Sequence, residues 1–156
     1  MDSISTDILA KIMHYCAYQE RCHSEVRYKL VALGARGNEL EQIIIKLIEE
    51  NFLNESRFAA SYVRGKFRHS EWGKVKIVQH LQQKEVSAYC INKALKEIDD
   101  KEYLSMIDTL IAKKDKSLPK SDNKWTRKQK IIRYLAQRGF EFSIVMERMD
   151  CFDNDN

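Results

Sequence analysis

The chain has 156 residues and a mass of 18.4 kDa, enough for one average domain or several small repeats. Charged residues make up 32% and hydrophobic residues 44% of it, a balance typical of a folded soluble protein and not of a disordered one. Five glycines and one proline are too few for the turns of an all-β protein, and no apolar run approaches the roughly 18 residues of a membrane helix.

Three helices fit the first 53 residues. Ser24 can cap the second of them, which ends at Gly34 or Gly37. Asn38, with Glu41 three residues later in capping-box spacing, opens the third. The first helix is predicted from an apolar stripe at helical spacing: Ile4, Ile8, Leu9, Ile12, Met13 and Cys16.

The pattern of three helices recurs twice more. In the second set, Asn54 and Ser87 can cap the first and third helices, and the helix between them follows Gly73. In the third set, apolar spacing predicts helices over residues 103–111, 126–138 and 142–149.

Three leucines in matching contexts support a repeat. Leu81 and Leu135 lie 54 residues apart, and Leu30 lies 51 residues before Leu81. The context Ile77-x3-Leu81-x2-Lys84-x-Val86 matches Ile131-x3-Leu135-x2-Arg138-x-Phe140. A period near 50 predicts an all-α fold of three tandem three-helix repeats, over residues 1–53, 54–100 and 101–150. Stacked repeats of this kind make an elongated, curved, solenoid-like protein.

Two segments fall outside the predicted helices. Residues 113–124, KKDKSLPKSDNK, are polar and contain the only proline, so we expect an exposed loop there. Residues 151–156 are acidic, and we expect a short frayed tail.

The net charge of +4 is unevenly distributed along the chain. Residues 1–54 have 6 basic and 8 acidic side chains, whereas residues 55–100 have 9 and 6, and residues 101–156 have 12 and 9. The basic runs at 57–84 and 113–138 occupy corresponding repeat positions, and each contains a tryptophan. This pattern favours a functional surface that attracts phosphate or an acidic protein partner. The simpler alternative is a solvated outer face.

The sequence lacks the motifs of common enzymes and metal sites. No GxxxxGK[ST], GxSxG or HExxH pattern occurs, and the four histidines are dispersed. The segment from His14 to His23 contains Cys16 and Cys22 but lacks zinc-ligand spacing, so we interpret its cysteines as packing residues. We therefore expect no enzyme activity, no cofactor and no metal. The acidic start and the absence of a CxxC pair favour a cytoplasmic protein.

Several passages resemble a known family. They are SEVRYKL at 24–30, IEENFLNESRFA at 48–59, RGKFR at 64–68 and WGKVKI at 72–77. With RKQK at 127–130 and Leu135-x3-Gly139-Phe140, they resemble the RecX family of bacterial regulatory proteins over essentially the whole chain. The sequence departs from the family pattern at Glu85, where glycine is usual, and at Asn54, where aspartate is common.

This resemblance implies a protein that modulates the recombinase RecA. Members of the family lie in the groove of the RecA–single-stranded DNA filament, block its extension, lower its ATPase activity and favour its disassembly. We expect a monomer that binds single-stranded DNA weakly and salt-dependently, with no role at membranes. The residues that would contact RecA or DNA are basic: Arg57, Arg64, Lys66, Arg68, Lys74, Lys76, Arg127, Lys128, Lys130 and Arg133.

Two other functions are compatible with the sequence. A DNA-binding protein of helix-turn-helix type, acting without a recombinase, would bind duplex DNA tightly and with sequence selectivity. A helical scaffold for unrelated proteins would neither bind DNA in that way nor inhibit RecA.

Overall fold

The structure is a computed structural model that describes residues 4–155, and these residues form nine α-helices and no strand. The helices are α1 (Thr6–Tyr18), α2 (His23–Leu33), α3 (Gly37–Glu49), α4 (Glu55–Arg68), α5 (Lys74–Gln83), α6 (Ala88–Leu95), α7 (Asp100–Ser117), α8 (Lys124–Gln137) and α9 (Phe142–Asp155). The all-α prediction is confirmed. None of these helices is long and apolar enough to cross a membrane.

The helices form two compact units, each with its own buried residues. One unit contains the described residues up to Tyr62 together with Leu81–Ala94, and its core includes Ile12, Leu30, Ile43 and Leu47. The other contains Val63–His80 and the described residues from Leu95 onward, and it buries Phe67, Ile77, Leu110, Ile131 and Leu135. The repeat boundaries at residues 53 and 100, and the elongated curve, stay predictions.

The second helix of each predicted repeat ends in the same hydrogen-bonded turn. A backbone N–H donates to a leucine carbonyl five residues earlier in three pairs: Ala35 to Leu30 at 2.9 Å, Val86 to Leu81 at 3.1 Å and Phe140 to Leu135 at 3.1 Å. The residue before each donor has a positive φ: 102° at Gly34, 63° at Glu85 and 89° at Gly139. This is the Schellman arrangement, which satisfies carbonyls at a helix end. Leucines that align in the sequence therefore mark equivalent helix ends.

Three of the predicted helix ends are confirmed. The side-chain oxygen of Asn54 accepts from the N–H of Arg57 at 2.9 Å, and Ser87 Oγ accepts from the N–H of Cys90 at 3.2 Å. Gly34 is the left-handed residue after α2. Short polar side chains favour such positions because they satisfy amide groups that have no partner within the helix.

The two caps predicted in the first repeat are wrong. Ser24 lies inside α2, and its hydroxyl donates to the carbonyl of Lys84 at 2.8 Å. Asn38 lies inside α3, and Glu41 accepts two hydrogen bonds from Arg27, at 2.6 and 3.0 Å. In both places the polar side chain that the local pattern predicts to cap a helix instead forms a hydrogen bond with a residue distant in sequence.

The predicted loop at 113–124 is too long. Helix α7 continues to Ser117 and α8 begins at Lys124, which leaves residues 118–123 outside the helices. The last turns of α7 are held from outside the helix, because Asp115 accepts from the Arg127 guanidinium and the Lys114 ammonium lies 5.1 Å from the ring centroid of Tyr134. The polar character of residues 113–117 therefore does not indicate the end of α7.

Residues 151–155 are helical in the structure, where the sequence predicts a frayed tail. They form the last part of α9, and Asn156, the end of the predicted tail, lies outside the described residues. Phe152 follows the buried Met149 by three residues and is half-buried, so it continues the apolar stripe of that helix. No glycine or proline interrupts the segment.

Candidate nucleic-acid interface

Six of the ten basic residues predicted to contact RecA or DNA lie beside carboxylates of the chain itself. Exposed ion pairs of this kind contribute about 0–1 kcal/mol each, so they reduce the outward positive charge without fixing every side chain. The pairs are Arg57–Glu20 at 2.7 Å, Arg64–Glu97 at 3.5 Å, Arg68–Glu102 at 3.2 Å, Arg127–Asp115 at 2.8 Å, Lys128–Asp150 at 4.0 Å and Lys130–Asp122 at 2.7 Å.

Arg57 and Arg127 use most of their donors within the chain. Arg57 bonds the Asn51 side chain and carbonyl at 3.1 and 3.0 Å, in addition to its ion pair. Arg127 donates to the Asp115 carboxylate at 3.0 and 2.8 Å and to the Pro119 carbonyl at 2.8 Å, and 23% of its side chain is exposed. Both guanidinium groups therefore hold a turn in place.

Three of the ten make no ion pair with any residue that the structure describes: Lys74, Lys76 and Arg133. The Lys74 ammonium lies 4.5 Å from the ring centroid of Tyr103, and the Lys76 ammonium lies 4.4 Å from that of Trp72. Arg133 is an exposed residue of α8. Because no carboxylate oxygen of the described residues lies within 4 Å of their charged groups, these three are the strongest candidates for contact with an anionic partner.

Trp72 is the centre of a cationic cluster in the turn between α4 and α5. The ammonium groups of Lys66 and Lys76 lie 4.6 and 4.4 Å from its ring centroid, and the His80 ring lies at 4.6 Å. The N–H of Trp72 donates to the Lys66 carbonyl at 3.0 Å, which fixes the turn. A cation over an indole face is stabilised by about 0.5–1 kcal/mol at an exposed site, so the ring favours two ammonium groups close together.

An open cavity of about 420 Å³ adjoins Trp72. It is lined by Ser70, Trp72, Lys76, Tyr134, Gln137 and Arg138. The Arg138 guanidinium carbon lies 4.9 Å from the ring centroid of Tyr134, and its Nη1 donates to the Ser70 carbonyl at 3.0 Å. Arg138 Nε is buried and has no hydrogen-bond partner within residues 4–155. The cavity thus combines two aromatic rings with two cations.

Two glycines bring the start of α5 against the end of α8. The N–H of Gly73 donates to the Arg138 carbonyl at 2.7 Å, and the N–H of Val75 donates to the Gly139 carbonyl at 2.9 Å. A Cβ at Gly73 would overlap the backbone of Gly139, and one at Gly139 would overlap Lys76. This backbone contact places Trp72 beside α8. The sequence contains both glycines but does not show that they pair.

Tyr103 is a buried residue that contacts Lys74 at the start of α5. Its buried hydroxyl donates to the Glu141 carboxylate and accepts from the Lys74 N–H at 3.1 Å. Its ring lies 5.7 Å from that of Phe67 and 5.5 Å from that of Phe140, centroid to centroid. Burial, and next the hydrogen bond to Glu141, raise the pKa of Tyr103 well above its usual value of 10. The hydroxyl is therefore a fixed neutral donor.

The segment from His14 to His23 contains two buried thiols. Burial raises the pKa of Cys16 to about 11, and Cys22 Sγ lies 3.1 Å from Ser24 Oγ and 3.2 Å from a Glu25 oxygen. Across residues 4–155, no three His, Cys, Asp or Glu side chains lie close enough together to hold a metal ion.

Comparison with known proteins matches two parts of the chain to family models. Residues 54–95 match the RecX second three-helix domain, and residues 100–147 match the RecX third three-helix domain. The tandem three-helix arrangement predicted for these segments is confirmed.

Curated relatives and solved structures agree with these matches. Regulatory protein RecX of Pelodictyon phaeoclathratiforme is 30% identical over 131 residues, which cover 83% of this chain and 79% of that protein. Regulatory protein RecX of Oceanobacillus iheyensis is 30% identical over 141 residues, 88% of this chain and 52% of that protein. The chain spans about half the length of the first curated relatives that it matches. The crystal structure of RecX from Lactobacillus salivarius superposes with a TM-score of 0.84 at 27% identity, covering 96% of this chain and 99% of that one.

Proposed function

The chain belongs to the RecX family of regulatory proteins, and we propose that it binds the RecA–single-stranded DNA filament in its groove and inhibits the recombinase and its ATPase. The matches to the RecX second and third three-helix domains carry this proposal. RecX is a regulatory family and not a family of enzymes, so we propose that the chain acts by binding alone. We further propose that it does so in the cytoplasm, as a monomer and without a cofactor.

The charges of α5 and α8 support a polyanionic partner. Lys74, Lys76 and Arg133 have no carboxylate partner among the described residues, and the exposed pairs of Arg64 and Arg68 can open when a stronger anion is available. Such groups attract DNA phosphates and acidic protein surfaces. Binding shifts the filament toward disassembly, or blocks its extension, only by the difference in affinity for the two filament states.

The decisive experiment is an ATPase assay with the cognate RecA and single-stranded DNA. We expect inhibition at or below stoichiometric amounts of the chain, and weak, salt-sensitive binding to DNA alone. A helix-turn-helix protein that acts without a recombinase would bind duplex DNA tightly and leave the ATPase unchanged. An unchanged ATPase rate at saturating protein contradicts the proposal.

A matched pair of triple variants tests where the charge acts. Lys74→Ala, Lys76→Ala and Arg133→Ala together should weaken inhibition and flatten its salt dependence, by about 0.7 in logarithmic slope for each DNA phosphate that the protein no longer neutralises. The control, Lys93→Ala, Lys101→Ala and Lys113→Ala, removes the same charge from exposed positions elsewhere. Equal weakening in both variants would show that net charge, and not this surface, is responsible.

A further inference from the structure

We propose that the cavity between Trp72 and Tyr134 binds one nucleotide of single-stranded DNA, with the base against the aromatic walls and the phosphate at Lys76. This inference rests on the proposed function and names the nucleic-acid site within it. Two aromatic rings and two cationic side chains line this one open cavity of about 420 Å³.

The aromatic walls have the character of a stacking platform. Trp72 and Tyr134 are both partly exposed, and both line the cavity. Cationic side chains lie 4.4–5.1 Å from the two ring centroids, so a base that stacks on either ring displaces one of them. Proteins that bind single strands place bases on such rings, and every base has a face that can stack. The backbone contact between Gly73 and Gly139 holds the two walls in place before any ligand arrives. The backbone that carries both rings is therefore ordered before binding, which reduces the entropic cost of forming the site.

The polar groups of the cavity suit a nucleotide. None of the six lining residues is acidic, and Lys76 has no carboxylate partner in the described chain. Its ammonium group, which lies 4.4 Å from the Trp72 ring centroid, can exchange that contact for a phosphate, with the Arg138 guanidinium on the same cavity. The Gln137 amide can both donate to and accept from the edge of a base.

The size of the cavity favours a nucleotide over a small inorganic anion. A volume of about 420 Å³ lies in the range of small-ligand sites and is sufficient for one nucleotide. A base inside a duplex is stacked and paired, so it reaches such a cavity only after it leaves the helix. Inorganic phosphate would use the cations and leave the aromatic walls empty.

Trp72 itself reports binding. The sequence has two tryptophans, and Trp125 is 71% exposed, so Trp125→Phe leaves Trp72 as the only indole without disturbing the core. We expect oligo(dT) of about 12 nucleotides to quench Trp72 fluorescence saturably, and the affinity to fall as salt rises. Duplex DNA of the same length, dTMP and inorganic phosphate should each bind several-fold more weakly. Equal affinity for dTMP or for duplex DNA would overturn the assignment to a single strand.

Two further variants in the Trp125→Phe background test the cavity walls. Lys76→Ala and Tyr134→Leu should each weaken oligo(dT) binding about fivefold or more. Lys113→Ala, an exposed α7 variant outside the cavity, should bind normally. Circular dichroism checks folding, and Lys76→Ala keeps the test valid if Tyr134→Leu unfolds. Absence of quenching, or equal affinity of all variants, would overturn the proposal.

The ATPase assay separates this inference from the function on which it rests. If the Trp125→Phe protein inhibits RecA but oligo(dT) leaves Trp72 unquenched, the cavity assignment is wrong and the proposed function stands. If Trp72 is quenched and Lys76→Ala weakens that quenching, but RecA is not inhibited, the cavity assignment stands and the proposed function is wrong.

Discussion

Glu85 has the left-handed backbone conformation that Gly139 has at the equivalent helix end, with φ of 63° and 89°. At both positions the next N–H closes the turn onto a leucine carbonyl, Leu81 in one case and Leu135 in the other. Glycine adopts this conformation without penalty, whereas a residue with a Cβ is strained by about 1–2 kcal/mol. The departure from the family pattern at Glu85 therefore has a cost in stability.

We expect Glu85→Gly to raise the free energy of unfolding by about 0.5–1 kcal/mol. The relieved backbone strain is partly offset by the greater freedom of glycine in the unfolded chain. Urea denaturation measures the change. Glu85→Ala keeps the Cβ and removes the carboxylate, so it should stay within about 0.5 kcal/mol of the wild type. Equal stabilisation by both variants would show that charge, and not backbone conformation, was the cause.

We expect Gly139→Ala to lower the free energy of unfolding by more than about 2 kcal/mol. The added methyl group meets both the strained φ and the side chain and backbone of Lys76. Gly34→Ala is the matched control, because its φ is 102° but no atom beyond its two chain neighbours lies within 4 Å of the added Cβ. The control should show backbone strain alone. If the two variants are equally unstable, the contact between α5 and Gly139 contributes nothing.

We expect Tyr103→Phe to cost about 1–3 kcal/mol, because it leaves the Lys74 N–H and the Glu141 carboxylate without their shared partner. Tyr89→Phe removes the same hydroxyl from a side chain that is 73% exposed, and it should change the unfolding free energy by less than about 0.5 kcal/mol. Urea denaturation at neutral pH checks both values. A cost near zero for Tyr103→Phe would contradict the anchoring role of this hydroxyl.

We also expect Tyr103→Phe to change how the free energy of unfolding depends on pH in the alkaline range. Folding raises the pKa of Tyr103 above 10, so above about pH 10 the unfolded chain loses a proton that the folded chain keeps. Stability is therefore present below pH 10 and falls as the pH rises further, by up to about 1.4 kcal/mol per pH unit for this group. In Tyr103→Phe the fall should be shallower by that amount. Parallel pH profiles would contradict the assignment.

The local part of the fold could be predicted from the sequence. Leu30, Leu81 and Leu135 recur at intervals of 51 and 54 residues, and each belongs to an apolar stripe whose helical spacing shows which face of its helix is buried. Asn54 and Ser87 were recognisable as caps for the same reason, since a cap acts within one turn.

The long-range part could not be predicted. Gly73 and Gly139 are 66 residues apart, and nothing local shows that their backbones meet. Arg127 is similar, because a basic run on one helix does not show which of its members a carboxylate of another helix, here Asp115 of α7, will bind. The sequence therefore predicts positive charge on α8, but it does not distinguish an arginine that forms internal hydrogen bonds from one that is exposed to a partner.

Arg127 and Arg133 make that distinction testable on one helix. Arg127→Ala should lower the free energy of unfolding by about 1–3 kcal/mol, because it breaks the bonds to Asp115 and Pro119. Arg133→Ala removes the same charge from an exposed position and should shift stability by less than about 0.5 kcal/mol, while it weakens filament inhibition. Urea denaturation and the RecA ATPase assay, at a temperature where both variants are folded, give the two readouts. The opposite order, with Arg133→Ala unstable and Arg127→Ala deficient in inhibition, would show that the guanidinium that bonds Asp115 is the one that contacts the filament.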